Sequence, residues 1–198
     1  MRRYRSPLKM KQRLIELVHE RTFRYTEKPT FKLASGAMSS YYFNCKPTTL
    51  NPEGMYLVGH LMLDMIQGRK AWKPKGVGGL TLGADPIASA IAYTSYLKGA
   101  PLEAFVVRKE PKKHGTMLWV EGNVTAGDRV VIVEDVVTTG GSTIKAIDRA
   151  RQSGLKVLGA VVLIDRQEGG REAVKALGVP VDVLLTRDEV LGAYTKRR

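Results

Sequence analysis

Glu134 and Asp135 stand together after the run Val130-Val131-Ile132-Val133, and Thr138-Thr139-Gly140-Gly141-Ser142-Thr143 follows after Val136 and Val137. Ionised carboxylates accept hydrogen bonds from sugar hydroxyls. Glycines allow close backbone approach, and hydroxyl side chains donate to an oxyanion. Together these residue types outline a site for a phosphorylated sugar. Two other groups can do chemistry. Arg166, in Asp165-Arg166-Gln167-Glu168, offers a planar fork to a carboxylate or carbonyl, the alternative being an Asp165–Arg166 surface pair. Arg108-Lys109-Glu110-Pro111-Lys112-Lys113-His114-Gly115 collects cations and a histidine that suit a polyphosphate, or else forms a solvated charge run. No Walker-type Gly-x-x-x-x-Gly-Lys-Ser/Thr occurs, and no Gly-x-Gly-x-x-Gly lies between a strand and a helix.

The elements that must hold these groups follow from periodicity. Four consecutive β-branched residues predict a strand buried on both faces, ending at Glu134 and Asp135, where open α/β sheets bind ligands. Ser142 or Thr143 is expected to start the next helix, so that free amides and the positive dipole end face the loop and hold a phosphate. Arg166 follows a second buried strand at 157–164. The basic run follows a strand at 103–107 and continues as polar or irregular chain to about 123, a length that is usually functional or disordered.

Residues 76–84 read as a strand entering a glycine-rich loop, with Asp85-Pro86 capping a helix to about 98. That loop serves equally well as a tight turn or as a seat for phosphates. Asn51-Pro52 starts a helix whose buried face is Leu57, Val58, Leu61, Met62, Met65 and Ile66. Upstream lie an amphipathic helix from 11 to about 25 and two strand-like runs over 31–46 joined at Ser35-Gly36. A helix at 171–177, a strand at 181–185 and a helix from 186 to about 194 complete the chain. Strand and helix alternate from about residue 70, which predicts an α/β fold with a parallel sheet and helices on both faces.

With 198 residues, 43% hydrophobic and 26% charged, the chain can bury one full core. One compact unit is expected, with 1–50 as an appendage and 51–198 as the core. No apolar run approaches the ~20 residues of a membrane span, and Glu16, His19 and Glu20 break the N-terminal apolar cluster, which excludes a signal-peptide core. A single cysteine, Cys45, agrees with a reducing compartment, and a cytoplasmic location is expected. The net charge of +13 raises nucleic-acid binding as a possibility, but the excess sits in residues 1–13, in 108–114 and in Lys196-Arg197-Arg198. The rest of the chain is nearly neutral, so nucleic acid is not the expected partner.

Residues 130–143 resemble the phosphoribosyl pyrophosphate (PRPP) motif of type I phosphoribosyltransferases. Phe31-x-Leu33-x-Ser35-Gly36 with Ser39/Ser40-Tyr41-Tyr42 and Lys46 resembles the base-binding segment of orotate phosphoribosyltransferases. Residues 108–115 resemble the catalytic loop of that family, and 165–168 its orotate-contacting segment. The resemblance implies a type I phosphoribosyltransferase-like parallel sheet under a small N-terminal hood, and formation of orotidine 5′-phosphate and pyrophosphate from orotate and PRPP in pyrimidine synthesis.

It also implies roles. Glu134 and Asp135 hold the ribose hydroxyls, and Val136, Val137, Thr138, Thr139, Gly140, Gly141 and Ser142 surround the 5′-phosphate. Arg108, Lys109, Lys112 and His114 cover the pyrophosphate, with Lys112 the leading catalytic candidate beside the acids. Thr138 and Arg166, with the backbone around Tyr42 and Phe43, orient orotate. Magnesium is expected on the pyrophosphate and ribose, with no dedicated protein ligands. A homodimer with shared sites is expected. Two family lysines are missing, at Ala34 and in Leu82-Gly83; Lys32, on the same strand face as Ala34, is a substitute for the first. The alternatives are a purine phosphoribosyltransferase and a non-catalytic RNA-binding relative.

Overall fold

The structure is a computed structural model that describes residues 6–32, 36, 38–111 and 119–195. Helix α1 (Pro7–Arg21) starts before the expected position 11, because Ser6 Oγ accepts from the Lys9 amide at 3.3 Å and Pro7 occupies the first turn. It also stops earlier. Residues 23–25 form β1 (Phe23–Tyr25), which is drawn out of the helical pattern by aromatic pairing across a ladder. The hood continues with β2 (Phe31–Lys32), β3 (Met38–Ser39) and β4 (Tyr41–Phe43).

The runs at 31–46 therefore do not make one hairpin. β2 pairs with β3, while β4 pairs antiparallel with β1, bringing Phe23 and Phe43 ring centroids to 5.2 Å and Tyr25 and Tyr41 to 5.5 Å. A short α2 (Lys46–Thr49), which the periodicity did not suggest, leads to α3 (Pro52–Gly68). Asn51 caps α3 as expected, its side chain accepting from the Glu53 and Gly54 amides at 3.0 and 3.2 Å.

The main sheet is built from β5 (Gly76–Leu80), β6 (Glu103–Val107), β7 (Val120–Gly122), β8 (Arg129–Val137), β9 (Lys156–Asp165) and β10 (Val181–Thr186). The helices α4 (Asp85–Leu97), α5 (Gly141–Gln152), α6 (Gly170–Lys175) and α7 (Arg187–Thr195) complete the fold. Strand order is β10-β9-β8-β5-β6-β7, parallel throughout except for β7, which runs antiparallel to β6. Part of the expected irregular stretch before residue 123 is thus strand.

Alternation along β8 feeds two cores. Val131 and Val133 pack in a cluster with Leu14, Leu57, Ile87 and Ile91 from α1, α3 and α4. Val130 and Ile132 pack with Ala146, Ile147 and Val174 from α5 and α6. Each such fully buried Val, Leu or Ile contributes roughly 1.5–3 kcal/mol, which fixes β8 between helical layers. Among the described residues, no helix is long and apolar enough to cross a membrane.

Candidate active site

The chain leaves β5 toward β6 on one side and returns to β8 on the other, so a crevice opens beyond the C-terminal ends of β5 and β8. The acids lie there, although β8 does not stop at them. Val136 and Val137 continue the ladder opposite Ile164 and Asp165 of β9, since two more β-branched residues suit a strand.

Glu134 is 4% exposed and accepts a hydrogen bond from Thr143 Oγ1 at 3.0 Å. Burial, then the negative charge of Asp135, push its carboxyl up to about 8. Asp135 is half-buried, and its Oδ1 accepts from the Val136 amide at 2.9 Å. The loop after β5 lies against it: a Cβ on Gly83 would come within 2.6 Å of Asp135 Oδ1. The Cys45 thiol, 3.9 Å from the Asp135 carbonyl, is raised by burial and then by both acids.

The loop after β8 ends at Gly140, whose φ of +87° favours glycine. A Cβ here would lie 2.8 Å from the Gly170 carbonyl, so two backbone segments touch directly. Helix α5 begins at once, with Ser142 and Thr143 inside its first turn rather than capping it. The reason is local: Gly140 already makes the turn, and the Thr143 hydroxyl is committed to Glu134. Thr138, Thr139, Gly140, Gly141 and Ser142 line a cavity of about 670 Å³ with Val136, Val137, Lys109, Lys145 and Arg149. The first-turn amides of a helix have no intrahelical partner, so the start of α5 suits an anion.

Asp85 likewise lies inside α4 rather than capping it, because its carboxylate accepts from Thr81 Oγ1 at 2.7 Å.

Arg108 turns to the sheet edge, pairing with Glu121 at 2.5 Å and donating to the Glu110 carbonyl at 3.1 Å. Its amide donates to the Trp119 carbonyl at 2.9 Å, and its carbonyl accepts from Arg149 Nη1 at 2.7 Å. The Arg149 guanidinium also covers the Trp119 ring at 4.2 Å. Lys112, His114, Ala34 and the side chain of Lys32 lie outside the described residues.

Arg166 is 4% exposed at the end of β9 and pairs with Glu168 at 2.9 Å, not with Asp165, whose Oδ1 accepts from the Gln167 amide at 2.7 Å. It also donates to Ser39 Oγ at 3.2 Å and lies 5.9 Å from the Phe43 ring centroid. Its buried Nε has no hydrogen-bond partner among the described residues. A buried guanidinium edge without an acceptor favours a ligand oxygen. Tyr42 is exposed and stacks on Phe31 at 5.4 Å.

Sequence reasoning named Thr143 and Ser39 without their partners Glu134 and Arg166, and missed Lys145, Arg149 and Gly170. The i, i+4 spacing of Lys145 and Arg149 places both on one face of the helix after the loop, a signal that could have found them. Gly170 carried none.

The chain thus joins a mostly parallel sheet to an acid pair on one strand and a glycine turn into the helix after it. Residues 49–180 match the model of the phosphoribosyl transferase domain family, and the chain belongs to that family. Within it, the chain falls among the orotate phosphoribosyltransferases. It is 45% identical to orotate phosphoribosyltransferase of Aquifex aeolicus over 181 residues, 91% of this chain and 97% of that relative. Crystal structures of the Mycobacterium tuberculosis H37Rv enzyme agree. The complex with Fe(III) dicitrate has TM-score 0.79 at 35% identity, covering 91% of this chain and 98% of that one. The complex with 5-phospho-alpha-D-ribosyl 1-diphosphate has TM-score 0.74 at 34% identity, covering 91% and 98%.

Proposed function

We infer that this chain transfers the phosphoribosyl group of PRPP to orotate, giving orotidine 5′-phosphate and pyrophosphate in pyrimidine synthesis. The observation that carries the reading is the buried Arg166 just past β9, the strand paired with the end of β8 that carries the acids; its Nε has no partner among the described residues and its guanidinium carbon lies 5.9 Å from the Phe43 ring centroid. The amides and hydroxyls of 138–142 hold the 5′-phosphate. Glu134 and Asp135 take the ribose hydroxyls, and Arg166 takes an oxygen of orotate. The bond from the ribose anomeric carbon to pyrophosphate breaks as that carbon bonds to the base nitrogen. Positive charge placed where pyrophosphate charge grows lowers the barrier. Lys109 faces the cavity, and the resemblance gives Lys112 and His114 the same duty.

Magnesium would ride on the substrate: it keeps its waters and prefers pyrophosphate oxygens, and the half-buried Asp135 would offer it one carboxylate. When bound, it would neutralise pyrophosphate charge. Residues 1–50 act as a hood on the core 51–198.

A homodimer is supported by α4: Tyr93, Tyr96 and Leu97 are 68%, 72% and 63% exposed, and the helix carries no charge after Asp85. Cys45, the only thiol, suits a reducing cytoplasm. The test is pyrophosphate release from PRPP with orotate, adenine, hypoxanthine or uracil as acceptor. Release with orotate alone supports the reading, and release with a purine instead overturns it.

A further inference from the structure

Thr143 has no role in the reaction as derived so far, yet it is 1% exposed and spends its hydroxyl on one of the two acids. Glu134 lies on β8 and Thr143 in the first turn of α5, so the bond joins the strand that carries the acids to the helix whose N-terminus is the anion seat. A carboxylate has two oxygens with several acceptor positions. The Thr143 hydroxyl occupies Oε2, which leaves Oε1 to meet Asp135 or a sugar hydroxyl. The groups that face Glu134 are Asp135 on its own strand, Thr143 from α5 and the Cys45 thiol from the segment before α2.

We propose that Thr143 is a positioning residue: its hydroxyl fixes the carboxyl plane of Glu134, so that Oε1 is presented to the ribose while α5 holds the phosphate. The proposal rests on the assignment of the ribose to the acid pair. Among neighbours that mostly disfavour ionisation, the Thr143 hydrogen bond favours the charged form of Glu134. Losing it makes the carboxyl harder to ionise and leaves its plane held by Asp135 alone.

The test compares Thr143→Val, which keeps shape and removes the hydroxyl, with Thr143→Ser, which keeps the hydroxyl and removes the methyl. The kinetic constants for both substrates are measured from pH 6 to 9. Above pH 8, where the Glu134 carboxyl is charged, Thr143→Val should raise KM for PRPP about tenfold, the effect of one hydrogen bond to a charged group. It should move the pH dependence of that KM to higher pH and leave KM for orotate within about twofold. Thr143→Ser should restore both. Thr143→Ala replaces the valine variant if the latter does not fold.

Unchanged PRPP kinetics without the hydroxyl, or a serine variant as impaired as the valine one, overturns the proposal. Equal changes in both KM values do so as well. Should the wild-type protein release no pyrophosphate with orotate, it is the functional reading that fails, so the two failures are distinguishable.

Discussion

Arg166→Leu should weaken orotate and spare PRPP. The guanidinium is almost wholly buried, with Glu168 on one Nη and Ser39 Oγ nearby, and its buried Nε has no partner among the described residues. A hydrogen bond from a charged donor is worth about 1.5–3 kcal/mol, so the lost fork corresponds to a rise in orotate KM of roughly 10- to 150-fold. The fold should survive: the residue 166 amide still donates to the Val137 carbonyl, and Glu168, 30% exposed, can turn to water. The assay is initial-rate pyrophosphate release with each substrate varied in turn, alongside Glu168→Gln as a control. Equal loss toward both substrates refutes the assignment. So does a Glu168→Gln variant that reproduces the whole defect, since Arg166 would then matter only as a structural ion pair.

Glu134→Gln should cost activity but stabilise the empty protein at alkaline pH. The native carboxyl is raised to about 8 against an ordinary 4.5, so its penalty is absent below 4.5, grows as pH rises to 8 and is complete above. Urea unfolding at pH 5, 7 and 9 should show the variant gaining on the order of 2–4 kcal/mol across that window; a pH-independent difference would contradict the cause given. Gly170→Ala puts a Cβ 2.5 Å from the Thr138 carbonyl and 2.7 Å from the Gly140 amide nitrogen. That backbone must shift, and kcat/KM for PRPP should fall about 100-fold; a value within twofold of wild type argues against a rigid anion seat. If basic loops act across a dimer, mixing Lys112→Ala subunits with Glu134→Asn/Asp135→Ala subunits should restore activity from two nearly inactive parents. Heterodimers seen by mass spectrometry without activity would put the loop on its own chain.

The order of strands and helices after residue 70, β7 apart, was legible because β-branched runs and Asx-Pro starts are local signals. The acid pair and the glycine turn were legible for the same reason, and Arg166 stood out by following a strand. What escaped depends on partners distant in sequence. The hood strands could pair in more than one way, and Phe23 against Phe43 settles the choice. Nothing near Ser142 tells that Gly140 already turns the chain against Gly170. Thr143 reads as a cap until β8 is laid beside it, and nothing near Glu168 tells that it pairs with a buried Arg166. Helix α1 was a simpler miss: Ser6-Pro7 is a readable start that the apolar face alone did not include.

The fastening of Arg108 and Trp119 has an evolutionary consequence. The two residues are bonded to each other across the β6–β7 ladder, and one guanidinium from α5 grips both. The entropy of bringing the ends of the intervening stretch together is therefore met by the scaffold, whatever the stretch contains. Doubling its length would add only ~0.6 kcal/mol, less than a typical hydrogen bond at its base. Selection can lengthen, shorten or recharge that stretch for speed or for a different leaving group with little effect on whether the sheet beneath it folds.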